Sequence, residues 1–322
     1  MKKKAVVLLN MGGASNPGEI KLFLTNMFND KNILAIPAPI RKIVAFLITR
    51  SRLNAAKANY ARIGGGSPIV GHTKKLVAKL QNAIPECEVS FIMRYTPPRA
   101  ETELRHLQEL GIEELFLIPL YPQYSTTTTR SSLEEIDEVM ARISYNPVCH
   151  TIERFYDHPL YIETIMEQIL KELGSDKAEE MDLIFSAHSL PQKVVDKGDP
   201  YETEINTHAV LLQETLEKKG IHFQNVHIAY QSKLGPVKWL EPSLEEVLEG
   251  MQNKRVLIVP LSFTIDNSET DFELAIEYRE FAETHGFETY RVCRCPNESD
   301  RFVETLQALY MQMETAASTY TR

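Results

Sequence analysis

A histidine flanked by two serines lies near the middle of the chain, in the segment 182–191 (DLIFSAHSLP). The apolar run 182–185 predicts a short buried strand, and Ser186, His188 and Ser189 follow it directly. In an open parallel sheet, ligands bind beyond the carboxyl ends of the strands. His188 is therefore a candidate for proton transfer or metal binding, and a packing role at a strand end is the alternative.

Three glutamates recur every four residues further along, at Glu269, Glu273 and Glu277. Residues four apart share a helix face, where like charges cost about 0.2–0.5 kcal/mol per pair. A locally widened π-type turn would align the three carboxylates more closely, and such turns are frequent at functional sites. A solvated acidic helix face is the alternative. The row begins shortly after a predicted strand, as His188 does, and this position favours a site.

A histidine together with carboxylates allows three kinds of chemistry. A hydrolase would use Ser186 or Ser189 as its nucleophile, but the chain has no G-x-S-x-G elbow. A closed zinc site needs more than one histidine with carboxylates. The third is a transient site that handles a divalent ion and protons together, because neutral imidazole binds either one and carboxylates pass both along.

Composition limits the remaining function classes. The chain has 322 residues, 43% hydrophobic and 25% charged, which is typical of a globular protein and fits two domains. The net charge of −9 argues against broad nucleic-acid binding. The apolar run 5–9 after the basic start is too short for a signal peptide, so a cytoplasmic protein is expected.

The cysteines do not predict a metal or disulfide framework. Cys87, Cys149, Cys293 and Cys295 contain no CxxC pair, and disulfides are not expected in an intracellular chain of this size. The pair Cys293 and Cys295 is only a weak indication of a metal or cluster.

Apolar strand patterns alternate with amphipathic helix patterns along the whole chain, which predicts an α/β fold with parallel sheets. The predicted strands cover 4–10, 88–95, 115–120, 148–153, 182–185, 225–230, 255–260 and 288–293. The predicted helices cover about 19–29, 71–81, 99–110, 131–143, 159–173, 202–218, 243–251, 268–285 and 299–316. The segment 116–120 (FLIPL) is echoed at 257–261 (LIVPL), which indicates two similar halves.

The segment 32–53 combines an apolar run with Arg50 and Arg52. A core helix or a flap over an apolar ligand is favoured over contact with a membrane surface, because a strongly charged opposite face is missing.

Several motifs occur together, in one order, from the first strand to the penultimate helix. They are 9–13 (LNMGG), 62–69 (RIGGGSPI), 121–125 (YPQYS), 185–191 (FSAHSLP), 230–236 (YQSKLGP) with Trp239-Leu240, and 266–277 (DNSETDFELAIE). In these motifs the chain resembles ferrochelatase, the terminal enzyme of haem synthesis.

The resemblance implies two Rossmann-like domains of the chelatase type, each a parallel sheet flanked by helices, with a porphyrin cleft between them. The domains are expected at 1–152, with a porphyrin lip at about 32–53, and at 153–298, with the metal site. The helix in 299–322 is expected to pack back on the first domain. The implied reaction inserts Fe²⁺ into a porphyrin and releases two protons. Protoporphyrin IX is the expected porphyrin, and coproporphyrin III stays open as the alternative. A cobalt or nickel chelatase of the same fold and a non-catalytic tetrapyrrole-binding protein are the alternatives.

The resemblance also implies residue roles. His188 and Glu269 would bind the metal and accept protons, and the acidic ridge of Glu273 and Glu277 would conduct them. The implied porphyrin-binding residues are Met11, Arg94, Tyr95, Tyr124 and Trp239.

Two positions depart from the family pattern. Asn267 stands where animal enzymes have a histidine, so any role of that side chain is absent. Thr126 stands where some relatives have a cluster cysteine, so no iron–sulfur cluster and no required cofactor are expected. The expected partners are the porphyrin and Fe²⁺ substrates, with no nucleic acid, a monomeric state, and peripheral membrane contact through the lip as an open alternative.

Overall fold

The computed structural model describes residues 3–233 and 235–320. Leu234, part of the motif at 230–236, lies outside the described residues, as do the ends of the predicted domains at 1–2 and 321–322. The strands are β1 (Lys4–Asn10), β2 (Glu88–Met93), β3 (Glu114–Pro119), β4 (Val148–Thr151), β5 (Asp182–His188), β6 (Val226–Gln231), β7 (Arg255–Pro260) and β8 (Thr289–Val292).

Helices connect these strands. The α-helices are α1 (Ile20–Phe28), α2 (Ala38–Arg62), α3 (Ile69–Ala83), α4 (Ala100–Glu109), α5 (Ser131–Ile143), α6 (Pro159–Leu173), α7 (Gln192–Val195), α8 (Tyr201–Lys218), α9 (Leu244–Gly250), α10 (Tyr278–Thr284) and α11 (Asp300–Tyr320). Two π-helices, Thr126–Arg130 and Glu269–Glu277, and a 3₁₀ turn, Ala178–Glu180, complete the described elements.

The chain divides into two compact units. The first takes in the described residues up to Tyr121, then Ser125–Arg154, and the described residues from Glu298 onward. Its sheet is parallel throughout, in the order β2-β1-β3-β4. The central strand β1 is fully buried from Ala5 to Leu8, because helices cover both faces of a parallel sheet. Within this unit, the Cys87 thiol of the β2 side contacts the Tyr310 hydroxyl of α11 at 3.0 Å.

The second unit comprises Pro122–Tyr124 and Phe155–Asn297. Its sheet is also parallel, in the order β6-β5-β7-β8. Helix α9 packs on this sheet and begins with a capping box, in which the Ser243 hydroxyl accepts from the Glu246 backbone N–H while the Glu246 carboxylate accepts from the Ser243 backbone. The predicted α/β class with two parallel sheets is therefore confirmed.

The predicted echo between the halves has a structural counterpart. Pro119 ends β3 beside β1, and Pro260 ends β7 beside β5, so that each proline lies opposite the same part of a central strand. Proline cannot donate a ladder hydrogen bond, and in both units the following leucine donates instead. The Leu120 N–H reaches the Leu9 carbonyl at 2.7 Å, and the Leu261 N–H reaches the Ser186 carbonyl at 2.8 Å.

Three predicted elements differ from the observed ones. The predicted strand 182–185 continues to His188, so Ser186 and His188 are part of the strand and do not follow it. The predicted helix 268–285 is a π-helix that continues into α10. The segment 32–53 contributes most of the 25-residue helix α2, whose later part continues well beyond the apolar run. Among the described helices, none is both long enough and apolar enough to cross a bilayer.

Candidate active site

Strand β5 fixes the position of His188. The strand is buried from Asp182 to Ala187, and only at His188 does a side chain become partly accessible, with 37% of its surface exposed. The His188 backbone N–H donates to the Ser262 hydroxyl at 2.9 Å, and its carbonyl accepts from the Tyr201 hydroxyl at 2.9 Å. Because both backbone groups are hydrogen-bonded, the backbone of His188 is fixed at the carboxyl end of the sheet, and the imidazole extends from there.

A chain of polar contacts runs from His188 to the π-helix. The imidazole Nδ1 lies 2.8 Å from Glu269 Oε2. The Ser232 hydroxyl donates to the same oxygen at 3.1 Å and is also in hydrogen-bond contact with Glu273 Oε2. The Phe263 ring lies nearly perpendicular to the imidazole, with 6.4 Å between ring centroids. The predicted convergence of the histidine with the acidic row is therefore present within the second unit.

The π-helix brings the first two glutamates together. Its i→i+5 hydrogen bonds put more than four residues into each turn, so residues four apart lie nearly above one another. Glu269 and Glu273 are half-buried, whereas Glu277 is exposed. The row therefore leads from the imidazole toward solvent.

Burial and charge act in opposite directions in this cluster. Burial lowers the pKa of His188, but the neighbouring Glu269 and Glu273 carboxylates outweigh it and raise the pKa above its ordinary value. For Glu269, burial raises the pKa, but the His188 imidazole and the Ser232 hydroxyl together lower it below the ordinary value. For Glu273, burial and the Glu269 charge both raise the pKa, to about 7. The cluster therefore places an imidazole of raised basicity and a carboxylate of lowered pKa beside a carboxyl that titrates near neutral pH.

The start of the π-helix depends on Asn267. This side chain is buried, and its Oδ1 accepts from the Glu269 backbone N–H at 2.8 Å, while its amide donates to the Ile265 carbonyl at 3.2 Å. An asparagine at a helix start supplies an acceptor for an otherwise unpaired N–H. Asn267 therefore orients the peptide that carries Glu269, a role that the sequence prediction did not include.

The two serines beside His188 are structural. Ser186 is fully buried and donates to Gln231 Oε1 at 2.6 Å, and Ser189 is fully buried near the Leu240 carbonyl. A nucleophilic hydroxyl must be reachable by its substrate and lie against a base. The buried serines do not meet this requirement, which argues against the hydrolase alternative.

Among the described residues, no group of three or more histidine, cysteine, aspartate or glutamate side chains is arranged to hold a metal ion. Cys293 and Cys295 are buried, and burial raises the pKa of both thiols.

Three predicted porphyrin-binding residues lie in the first unit. Met11 is half-buried just after β1. Arg94 forms ion pairs with Asp30 at 3.1 Å and Glu135 at 3.0 Å, and only 18% of its side chain is exposed. Tyr95 is 3% exposed and donates to Asp30 at 2.8 Å. Both Arg94 and Tyr95 are thus engaged by carboxylates of their own unit, and porphyrin binding by these three residues stays a prediction.

The other two predicted porphyrin-binding residues lie in the second unit. Tyr124 is half-buried, and its backbone N–H donates to Glu204 at 2.7 Å. Trp239 is half-buried and forms an isolated antiparallel bridge with Pro191, three residues after His188. Their contact with a porphyrin also stays a prediction.

Helix α2 exposes an apolar surface that we call the lip face. It consists of Ile40, Ile43, Phe46 and Leu47, each between 53% and 63% exposed. Spacings of three and four residues place these side chains on one side of the helix. The predicted lip is therefore an exposed helix, and the alternative of a core helix is wrong for this part of the segment.

Comparison with known proteins identifies relatives along nearly the whole chain. A family model described as Ferrochelatase matches residues 3–314. The chain is 51% identical over 315 residues to a ferrochelatase of Sulfurimonas denitrificans, covering 97% of this chain and 100% of the relative. It is 51% identical over 311 residues to a ferrochelatase of Nitratiruptor sp., covering 96% of this chain and 100% of the relative.

Solved structures share the fold at much lower identity. SirB from Bacillus subtilis with Fe³⁺ has a TM-score of 0.58 at 13% identity, covering 99% of this chain and 98% of that one. The sirohydrochlorin chelatase SirB from Bacillus subtilis subspecies spizizenii in complex with cobalt has a TM-score of 0.56 at 12% identity, covering 98% and 97%. These likenesses establish the fold.

The raised pKa of Glu273 predicts a pH-dependent stability effect. An acid with a raised folded-state pKa binds its proton more tightly when folded, so its contribution to stability falls as pH rises from about 4.5 through about 7. Glu273→Gln removes this loss. The variant should gain free energy of unfolding relative to wild type between about pH 5 and pH 8 in urea titrations. A difference that stays constant over this range would contradict the shifted pKa. Glu283→Gln, at an exposed position of α10, is the matched control.

Proposed function

Because the chain belongs to the ferrochelatase family, we propose that His188 and Glu269 form the centre at which it inserts Fe²⁺ into a porphyrin. The family identity makes the protein an enzyme, a metal-porphyrin chelatase that produces haem. The reaction exchanges two pyrrole protons for one Fe²⁺. A site for it must therefore accept protons and handle a divalent cation at nearly the same place.

The observation that carries this proposal is the contact of 2.8 Å between His188 Nδ1 and Glu269 Oε2. A carboxylate that accepts from Nδ1–H leaves the Nε2 lone pair as the basic position of the ring. The raised pKa of His188 makes this nitrogen a stronger base than free imidazole. We assign removal of the two pyrrole protons to Nε2, which takes them one at a time and releases each to solvent through its accessible face, with Glu269 stabilising the imidazolium formed each time.

The metal approaches from the acidic side of the same cluster. Glu269 and Glu273 supply oxygen ligands, and the exposed Glu277 extends the row toward solvent. A cation that reaches Glu273 competes with the proton that this carboxyl holds near neutral pH. Bending of the porphyrin, which turns its nitrogen lone pairs out of plane, would be favoured by a site complementary to the bent ring.

The finer assignments are proposals of the same kind. We take protoporphyrin IX as the porphyrin, and parallel assays with coproporphyrin III test the choice. We propose a cytoplasmic monomer that needs no resident cofactor and no iron–sulfur cluster. Light scattering, and iron and sulfide analysis of the purified protein, test these points.

His188→Ala should abolish metallation while porphyrin binding persists, because the variant loses the proton acceptor and keeps the surfaces that bind the ring. Anaerobic mixing with Fe²⁺ and protoporphyrin, followed by absorption spectra, measures both steps: binding shifts the porphyrin bands, and metallation converts them. His222→Ala, in an exposed loop of the same unit, is the matched control. Near-normal turnover in His188→Ala would remove the residue from the chemistry, and bands that shift without conversion in wild type would indicate a binding protein.

Glu269→Gln should lower kcat by about 10²-fold or more, because it removes the charge that supports the imidazolium and a ligand of the incoming metal. The variant keeps the shape of the side chain, so the fold should be retained. Stopped-flow metallation rates measure the effect, with Glu283→Gln as the control. An unchanged rate would exclude Glu269 from the site. Comparing Fe²⁺ with Co²⁺ and Ni²⁺ in the same assay tests the alternative metal preference.

For the lip face we propose peripheral contact with a membrane surface. Lys42 and Arg50 are exposed beside its apolar side chains, and this combination suits an anionic lipid surface. The double variant Ile43→Asp/Phe46→Asp should therefore lose co-sedimentation with phosphatidylglycerol vesicles. Val210→Asp, which changes a 52% exposed valine on α8, should not. Failure of the wild-type protein to co-sediment, or equal loss in the control, would refute the contact.

A further inference from the structure

Ser232 occupies an unusual backbone position beside the candidate active site. It directly follows β6, and its φ is +68°, in the left-handed region that non-glycine residues seldom adopt. Such a conformation persists only where the surroundings determine it, and it is concentrated at functional sites. The preceding residue is tied down, because Gln231 pairs with His188 across β5 and β6 and its carbonyl accepts from the Ser189 N–H.

The left-handed turn aims the Ser232 hydroxyl at two carboxylates at once. Its Oγ lies 3.1 Å from Glu269 Oε2 and within hydrogen-bond distance of Glu273 Oε2. Two half-buried carboxylates repel one another, and a hydroxyl placed between their oxygens offsets this by donating its one hydrogen to either of them. The same Glu269 oxygen also meets His188 Nδ1, so the hydroxyl adds a second donor at this position.

We propose that Ser232 is a positioning residue for the metal step, whose hydroxyl holds the Glu269 and Glu273 carboxylates together so that one incoming cation meets both. The inference rests on the proposed function of His188 and Glu269. Serine suits the position because glycine lacks the hydroxyl and threonine is branched at Cβ, which is unfavourable at positive φ. The role concerns the cation and not the porphyrin, because the hydroxyl contacts only the acidic side of the cluster among the described residues.

Two variants separate the hydroxyl from the backbone. Ser232→Ala removes the hydroxyl and keeps a Cβ at positive φ, whereas Ser232→Gly removes the hydroxyl and relaxes the backbone. Both should raise the KM for Fe²⁺ about tenfold, the effect expected for losing one hydrogen bond to a charged group. The KM for porphyrin should stay within about twofold in both variants. Calorimetric titration of the porphyrin-free variants with Zn²⁺ should show a similar loss of affinity.

The control is Ser243→Ala, which removes another serine hydroxyl hydrogen-bonded to a glutamate of the same unit, in the capping box of α9. It should lower thermal stability and leave both KM values unchanged. The proposal is overturned if Ser232→Gly behaves as wild type, if the KM for Fe²⁺ is unchanged in both variants, or if both KM values rise together. If His188→Ala and Glu269→Gln keep full turnover, the proposed function itself fails, whatever the Ser232 variants do.

Discussion

The contact between the His188 imidazole and the Glu269 carboxylate is the constraint around which the second unit is built. The two residues are 81 positions apart in sequence, and they meet because β5 pairs with β7 and both strands end at the same edge of the sheet. Three hydrogen bonds near that edge fix the backbone around the two residues. Leu261 donates to Ser186, Ser262 accepts from His188, and Asn267 holds the peptide of Glu269. A shift in any of these bonds would separate the imidazole from its carboxylate.

Electrostatics then decides what the cluster can do. Burial disfavours every charge in it, and one imidazole can compensate for only one carboxylate at close range. The Glu269 charge is the one compensated, since its pKa is lowered, and Glu273 is left with a pKa of about 7. The two carboxyl groups thus have only one imidazole to balance their charge. Either a proton or a divalent cation would supply the missing positive charge, which agrees with the proposed role of this cluster in porphyrin metallation.

The sequence predicted the elements whose cause is local and missed features whose cause is tertiary. Strand β1 and helices α5 and α6 have the predicted bounds, because apolar periodicity and caps determine them. The spacing of the glutamates indicated only that a widened turn would align them, and the predicted helix at 268–285 is a π-helix over Glu269–Glu277. The end of β5 was placed too early, because Ser186 and His188 are polar, yet their backbones still pair with β6.

Ser232 and Asn267 could not have been selected in the same way, for different reasons. A serine after a strand carries no signal for positive φ, which here follows from contacts with residues distant in sequence. Asn267 did carry a signal, because asparagine is favoured at helix starts. From the sequence, the position was notable only for lacking the histidine of animal enzymes. The lip face was ambiguous for a third reason. An apolar stripe on a helix predicts burial, and only coordinates show that Ile43 and Phe46 stay exposed among the described residues.

The two units repeat the same strand ends and π-helices but carry different side chains there. Leu9 lies opposite Pro119 as Ser186 lies opposite Pro260, so Met11 and His188, two residues further on, occupy equivalent strand ends. The π-helices that follow β3 and β7 are also equivalent, and one is a threonine run where the other carries glutamates. The two units therefore repeat this arrangement, and among the described residues at those positions the imidazole and the carboxylates belong to the second unit. SirB shares this fold at 13% identity. Under the proposed function the chemistry comes from the imidazole and carboxylates of the second unit, because the thioether and hydroxyls at the equivalent positions of the first unit are not bases for pyrrole protons.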